Sequence, residues 1–311
     1  MSGLIEILKT ILPIALVLGL GIHCRRREML SREGIDAIKS VAVNIALPAV
    51  QLQAFATADY GPRSLVLPAV MFGVCCAAWA LGHLARRVLR ISSRFVPFLT
   101  TGFEAGMLGY TLYGMLYGQE SMPHFALIDL GQVLFVFTLY KMLIRLDSRE
   151  GIQWKALLRE MFTSPVVLAI LAGVLLGASG AYRALIPSGV SDIFDACTDF
   201  VSASTSTLIL LSIGYDLVFA EIRWRETGKV VAARTVILLV LMGGTLLLLR
   251  ALGLSERALT GAVAVMFILP PPFVLPVFAT DEAQRTYISS ALSLSTLVSL
   301  GLFALLTVLV L

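Results

Sequence analysis

Ten apolar blocks follow one another along this chain, each close to the roughly 20 residues a helix needs to cross the hydrocarbon of a bilayer. They run Leu4–Ile22, Ile35–Phe55, Ser64–His83, Phe95–Gly118, Met122–Leu146, Phe162–Ala178, Asp195–Ala220, Val230–Arg250, Ala258–Ala279 and Tyr287–Leu311. Of the 311 residues 58% are hydrophobic and 14% charged, and the mean hydropathy is +0.89. A soluble domain sits nearer half apolar and a quarter charged. No large soluble domain fits between the blocks. The expected fold class is an all-α polytopic membrane protein of ten transmembrane helices.

The charges set an orientation. Arg25, Arg26, Arg27 and Arg32 follow the first block, and Arg86, Arg87, Arg90 and Arg94 follow the third. Arg149, Lys155 and Arg159 follow the fifth; Arg223, Arg225 and Lys229 follow the seventh. The intervening loops carry few basic residues. The positive-inside rule then makes the odd-to-even loops cytoplasmic and puts both termini outside. The net charge of +4 resides in short loops and gives no nucleic-acid signal. The first block is followed, not preceded, by its arginines, so it reads as a retained helix and not as a cleaved signal peptide. Cys24, Cys75, Cys76 and Cys197 have no metal-site spacing. There is no nucleotide-binding loop and no nucleophile–base pair. The sequence therefore predicts no enzyme, no ATP-driven pump, no metal and no cofactor.

The longest hydrophilic connection, Asp147 to Glu160, divides the chain into five blocks and five, 1–150 and 151–311. An odd number per half gives the halves opposite orientations. The first half opens with PIALVLGLG, Pro13 to Gly21, and the second with PVVLAILAG, Pro165 to Gly173. Proline, Leu16/Leu168 and the last glycine fall in register. This predicts two inverted five-helix repeats, a common architecture of secondary transporters.

Two blocks are damaged at matching places in that repeat. MFILPPPFVLPVFATDE, Met266 to Glu282, carries Pro270, Pro271 and Pro272 near the middle of the ninth block and Pro276 beyond. An interior proline removes a backbone donor and clashes with the preceding turn. The fourth block, FVPFLTTGFEAGMLGYTLYGMLYG, is interrupted by Gly102, Gly106 and Gly109, with Glu104 between them. Paired Gly/Pro-interrupted spans point to a binding site at mid-membrane. The breaks are expected near Gly106–Gly109 and Pro270–Pro272 and beside each other. Half-helices meeting there are expected to aim free N–H groups at an anion.

The chain resembles the auxin efflux carrier family, which includes bacterial malate permeases, over nearly its whole length. The likeness rests on NIALPA (Asn44 to Ala49), EAGMLGYT followed by Tyr117-Gly118, Ile213-Gly214, the mid-span proline of the ninth block, and STLVS (Ser295 to Ser299). The resemblance implies a scaffold of spans one, two, six and seven. It also implies a moving domain of spans three to five and eight to ten, in which broken spans four and nine cross, and a homodimer. Two positions depart from the family pattern: Glu104 stands where the family has Asn, and Thr111 where it has Pro.

The substrate-binding candidates are Asn44, Glu104, Gly106, Gly109, Thr111, Ser206, Pro270 and Pro271. The proton-coupling candidates are Glu104 and Asp129. An ionisable group near the bilayer centre costs at least about 2.5 kcal/mol to insert and usually serves function; the structural alternative for Glu104 is a cap on the second half-helix. Asp129 either relays protons with Glu104 or hydrates an outer vestibule. Asn44 either satisfies the carbonyl freed by Pro48 or touches substrate. Ser206, in the run Ser202 to Leu208, either binds or allows close helix packing. Asp216, Lys141 and Arg234 are expected at inner span ends, as interface anchors or a salt-bridge gate. The function expected is secondary active transport of a small organic anion, a carboxylate, across the cell (inner) membrane by an elevator-like mechanism with proton linkage. The alternatives are a sodium-coupled carrier like the bile acid symporters, with carbonyls beside Pro270–Pro272 as cation ligands, and a non-transporting sensor.

Overall fold

A computed structural model describes residues 2–147, 159, 162–217 and 223–311. Most of the Asp147–Glu160 connection, with Arg149 and Lys155, lies outside the described residues. Among those residues all regular structure is helical. We label the helices α1 (Ser2–Arg26), α2 (Arg32–Ala56), α3 (Val66–Val88), α4 (Val96–Thr100), α5 (Tyr110–Tyr117) and α6 (Gln119–Leu146). They continue as α7 (Pro165–Ala178), α8 (Ala181–Ser188), α9 (Val190–Asp216), α10 (Trp224–Ala251), α11 (Arg257–Ile268) and α12 (Glu282–Val310). Seven of these are long and apolar enough to cross a membrane, and α7 with α8, bent by 69°, makes an eighth candidate. The protein is thus a multi-pass membrane protein. The remaining two apolar blocks are interrupted, as α4–α5 and as α11 with the segment after it, and do not count as continuous spans.

Local sequence explains the ends. Ser31 caps α2 by accepting from the Gly34 N–H, and Asp281 caps α12 by accepting from the Gln284 N–H, the usual use of short polar side chains at helix starts. Pro165 begins α7, where its missing N–H costs nothing. Gly180, at φ +73°, supplies the left-handed residue at the bend into α8.

The chain forms two compact units. One takes the described residues of Met1–Val66, Gly106–Leu127 and Gln153–Leu217, the other those of Leu67–Ala105, Ile128–Ile152 and Val218–Leu311. Each draws on both halves of the sequence.

The first unit is organised by two helix pairs, α1 on α9 and α7 on α2. Glycines set their closeness. A Cβ on Gly21 would lie 2.2 Å from the Leu211 carbonyl oxygen, 2.6 Å from the Tyr215 nitrogen and 2.9 Å from the Gly214 carbon. A Cβ on Gly173 would lie 2.7 Å from the Leu52 carbonyl oxygen, 2.7 Å from the Phe55 side chain and 3.2 Å from the Ala56 nitrogen. The two glycines that align in the sequence thus meet the same i, i+3, i+4 pattern on their partner helices. Gly214 answers from α9, where a Cβ would lie 2.2 Å from the Leu18 carbonyl oxygen. Small residues of this kind let membrane helices pack backbone to backbone.

The second unit packs α3, α4, most of α6, α10, α11 and α12. Gly82 admits the turn of α4 at Pro97 and Thr100, and Gly131 admits the α3 backbone at Pro68. Aromatic contacts fill the interior: Phe72 with Phe135 and Phe98 with Tyr140 edge to face, and Phe103 tilted against Phe267 at 5.7 Å.

Candidate functional site: two joined helix breaks

The fourth block unwinds earlier than its glycine spacing suggests. α4 stops at Thr100, Thr101 is extended, and Gly102 takes φ +69°. Only glycine enters that region without strain. The chain is non-helical from Thr101 to Glu104, and Ala105–Gly109 rewinds as a π-helical turn leading into α5. The expected break at Gly106–Gly109 is therefore displaced to Gly102, because Gly102 is the glycine with a left-handed backbone, while Gly106 and Gly109 lie in the wide turn. The ninth block breaks where expected. α11 ends at Ile268, Leu269 is extended, and the three prolines follow. A residue before proline is pushed out of the helical region, and proline cannot donate to the preceding turn.

The breaks lie against each other. The Glu104 N–H donates to the Pro270 carbonyl at 2.9 Å. The Phe273 N–H donates to Glu104 Oε2 at 2.7 Å. A Cβ on Gly102 would fall 2.9 Å from Pro272 Cγ. Glu104 thus caps the opposite broken segment, a variation on the structural role considered from sequence. Beyond Pro272 the chain makes a 3-10 turn, Leu275–Phe278. A second half-helix aiming its N–H groups inward is absent from the described residues there, so the expected pair of helix N-termini does not form.

What converges here is a set of helix C-terminal carbonyls. The last carbonyls of a helix lack helical partners and carry the negative end of its dipole. In α4 the Thr100 hydroxyl donates to the Pro97 carbonyl (3.1 Å) and the Tyr140 hydroxyl to the Phe98 carbonyl (2.9 Å). The Thr101 hydroxyl leaves toward the Cys75 carbonyl of α3 (2.7 Å). Three further acceptors share one cation, Arg234 of α10. Its Nη1 donates to the Leu99 carbonyl at 3.0 Å; its Nη2 donates to Gly102 at 2.8 Å and to Leu269 at 2.9 Å. Arg234 is 4% exposed and lies 5.5 Å from the Phe103 ring centroid. Desolvating a guanidinium is costly; charge-assisted bonds to two helix ends offset that cost. A cavity of about 20 Å³, lined by Arg234, Leu269, Ser295 and Ser299 among others, adjoins it, room for one water. Ser295 and Ser299 of the STLVS run thus line the cavity that reaches the arginine, while the Thr296 hydroxyl donates to the Leu292 carbonyl.

The other candidates fall as follows. Pro270 and Pro271 are buried at the joined breaks, and Glu104 is half-buried. Gly106, Gly109 and Thr111 belong to the first unit. The Thr111 hydroxyl is spent on the Met107 carbonyl (3.0 Å). Asn44 is exposed in a π turn of α2, and its Nδ2 donates to Ser40 Oγ (3.1 Å), not to the carbonyl that Pro48 frees. Ser206 is half-buried on α9. Asp129 is 1% exposed on α6 and accepts from the Gln132 amide (3.1 Å). The structure brings Glu104 together with the proline run.

Sequence reasoning placed Arg234 at an inner span end. The available signal was its setting, VVAARTVILLV, a lone charge inside an apolar run. Asp216 does form an ion-pair cluster, with Arg32 at 2.8 Å and with Lys39. Lys141 is buried, its ammonium 4.6 Å from the Phe137 ring centroid. Among the described residues no group of three or more His, Cys, Asp or Glu side chains is placed to hold a metal.

The family model described as "Membrane transport protein" matches residues 6–307. The chain belongs to this family, that of the auxin efflux carriers. A protein of Methanothermobacter thermautotrophicus described as an uncharacterized transporter is 23% identical over 300 residues, covering 94% of each chain. Family and relative make this chain a transporter and not an enzyme. The joined breaks of this transporter lie within one compact unit.

Proposed function

We propose that the protein is a secondary carrier that moves a small organic anion, a carboxylate, across the cell membrane by an elevator-like alternating-access cycle linked to protons through Glu104. The observation that carries the reading is the joined pair of breaks with a half-buried carboxyl between them. Broken spans of this kind form transport sites in secondary carriers. Ten crossings in two inverted repeats are supported by the matched contacts of Gly21 and Gly173. Ten crossings leave both termini on one side, and the basic loops make that the outside. Division into two compact units, each built from both halves, suits a cycle in which one unit carries the site. The unpartnered row Leu8, Leu12, Leu16 and Leu20 on α1, all about half-exposed, offers a face to lipid or to a second copy in a homodimer.

An anionic substrate is supported by the unit that holds the breaks. A cavity of about 620 Å³ is lined there, among the described residues, by Arg90, Arg94, Arg223, Arg225 and Lys229 and by the one carboxylate Glu226. A basic concavity raises the local concentration of anions. By the positive-inside rule these residues face the cytoplasm.

In the proposed cycle an ionised Glu104 repels the anion. Protonation removes that charge and leaves an O–H able to donate. Asp129 serves as a second proton stop; Asn44, Gly106, Gly109, Thr111 and Ser206 are the further substrate-binding candidates. The test is uptake and counterflow in proteoliposomes with a panel of mono- and dicarboxylates, with and without an imposed pH gradient. Saturable counterflow of at least one carboxylate, with net uptake driven by the gradient, is expected. Specific ligand binding without flux would replace the carrier by a sensor.

A further inference from the structure

Broken-helix carriers that couple to a metal cation hold it with unwound backbone carbonyls. Here three such carbonyls, those of Leu99, Gly102 and Leu269, converge from two helix ends. Carbonyl oxygens are the ligands hard cations prefer, and Ser295 and Ser299 line the adjoining cavity. The centre of this oxygen set is already filled. All three carbonyls accept from Arg234 within 3.0 Å. Arginine stays protonated in proteins and cannot leave with substrate as a free ion does. A second unit charge about 4 Å away would be weakened in its binding roughly 1000-fold, even at an effective dielectric constant near 20.

We infer that the Arg234 guanidinium is a built-in cation occupying a carbonyl site that would otherwise take a monovalent metal ion, and that this protein is therefore not sodium-coupled. The occupancy half stands on the hydrogen bonds alone. The coupling half rests on the carrier reading.

The experiment measures thermal stability of the purified full-length protein in matched sodium, potassium and choline chlorides, so it does not depend on finding the substrate. The wild type is expected to melt at the same temperature in all three. Arg234→Ala, melted in choline, is expected to fall below the wild type, because three buried carbonyls lose their donor. It should then rise saturably in sodium, potassium or millimolar guanidinium, by roughly 4 °C or more when the ion is at about 100 times its dissociation constant. Arg234→Lys keeps a cation in place, so it should remain insensitive to sodium even if the alanine variant fails to fold. A wild type or a lysine variant stabilised by sodium over choline would overturn the inference. So would a folded Arg234→Ala that no small cation restores. In proteoliposomes, substrate flux by the wild type should be unchanged when choline replaces sodium; sodium-dependent flux would overturn the coupling half while leaving the carrier reading intact.

Discussion

Replacing Gly102 by alanine tests the joined breaks at their tightest point. Gly102 has φ +69°, a conformation that costs an L-residue about 1–2 kcal/mol. The new methyl would also sit 2.9 Å from Pro272 Cγ and 3.2 Å from Pro272 Cδ. The proline ring cannot rotate away, and overpacking of this kind costs roughly 1–3 kcal/mol. Alanine recovers about 0.4–1 kcal/mol by restricting the unfolded chain. The net destabilisation is about 1–5 kcal/mol, or a melting temperature lower by roughly 2–7 °C for a chain of this length. The strain also falls on the Gly102 carbonyl that Arg234 holds, so flux should drop further than stability does. The control is Gly244→Ala in α10, where a Cβ meets nothing within 4 Å; a helical glycine-to-alanine change there should be neutral or stabilising by roughly 0.5–1 kcal/mol. The assay is thermal melting of both variants in the same detergent. A Gly102→Ala protein that melts at or above the wild type would refute the proposed packing of the two breaks.

Three further outcomes are expected. Gly21→Val and Gly173→Val should each lower the melting temperature by several degrees, because both methyl sets meet partner backbone; an effect at one site only would count against the repeat relation between them. In a background without the native cysteines, an impermeant thiol reagent applied outside should label a cysteine placed at Ser2 and spare one at Ser92, and the reverse pattern would invert the topology. Joint replacement of Arg223 and Arg225 by glutamine should raise the KM for an anion presented from the cavity side and weaken the salt dependence of uptake; an unchanged KM would remove that cavity from the substrate route.

Much of this was legible in the sequence because hydrophobic length is a local property. Apolar blocks, proline runs and loop charges each report on their own stretch of chain. They gave the helical membrane class and the two damaged blocks; the contact between the breaks followed only from their matching places in the inferred repeat. The displacement of the first break to Gly102 was not legible, since three glycines in one block look alike until tertiary contact decides which one takes a positive φ. Nor was the second half of the ninth block, which a helical count predicts and Leu275–Phe278 replaces by a turn. Arg234 was misplaced for a related reason. Its position along α10 suggested a snorkelling anchor, but its partners come from residues 99, 102 and 269. No periodicity within one helix reveals that two other helices end against it. The residues Asn44, Thr111 and Ser206 carried motif information without geometry, and the first two direct their hydrogen bonds into their own helices.

The proton-linked carrier cycle is tested most directly at Glu104. Glutamine has the same shape, and its side-chain oxygen can still accept from the Phe273 N–H, so Glu104→Gln should keep the joined breaks. The measurement is carboxylate flux against pH and against an imposed pH gradient, in parallel for wild type and Glu104→Gln in proteoliposomes. The account predicts that an acid-outside gradient accelerates net uptake by the wild type, while Glu104→Gln retains counterflow and loses the dependence on pH. Identical pH profiles for the two proteins would contradict it and leave Glu104 as a structural cap.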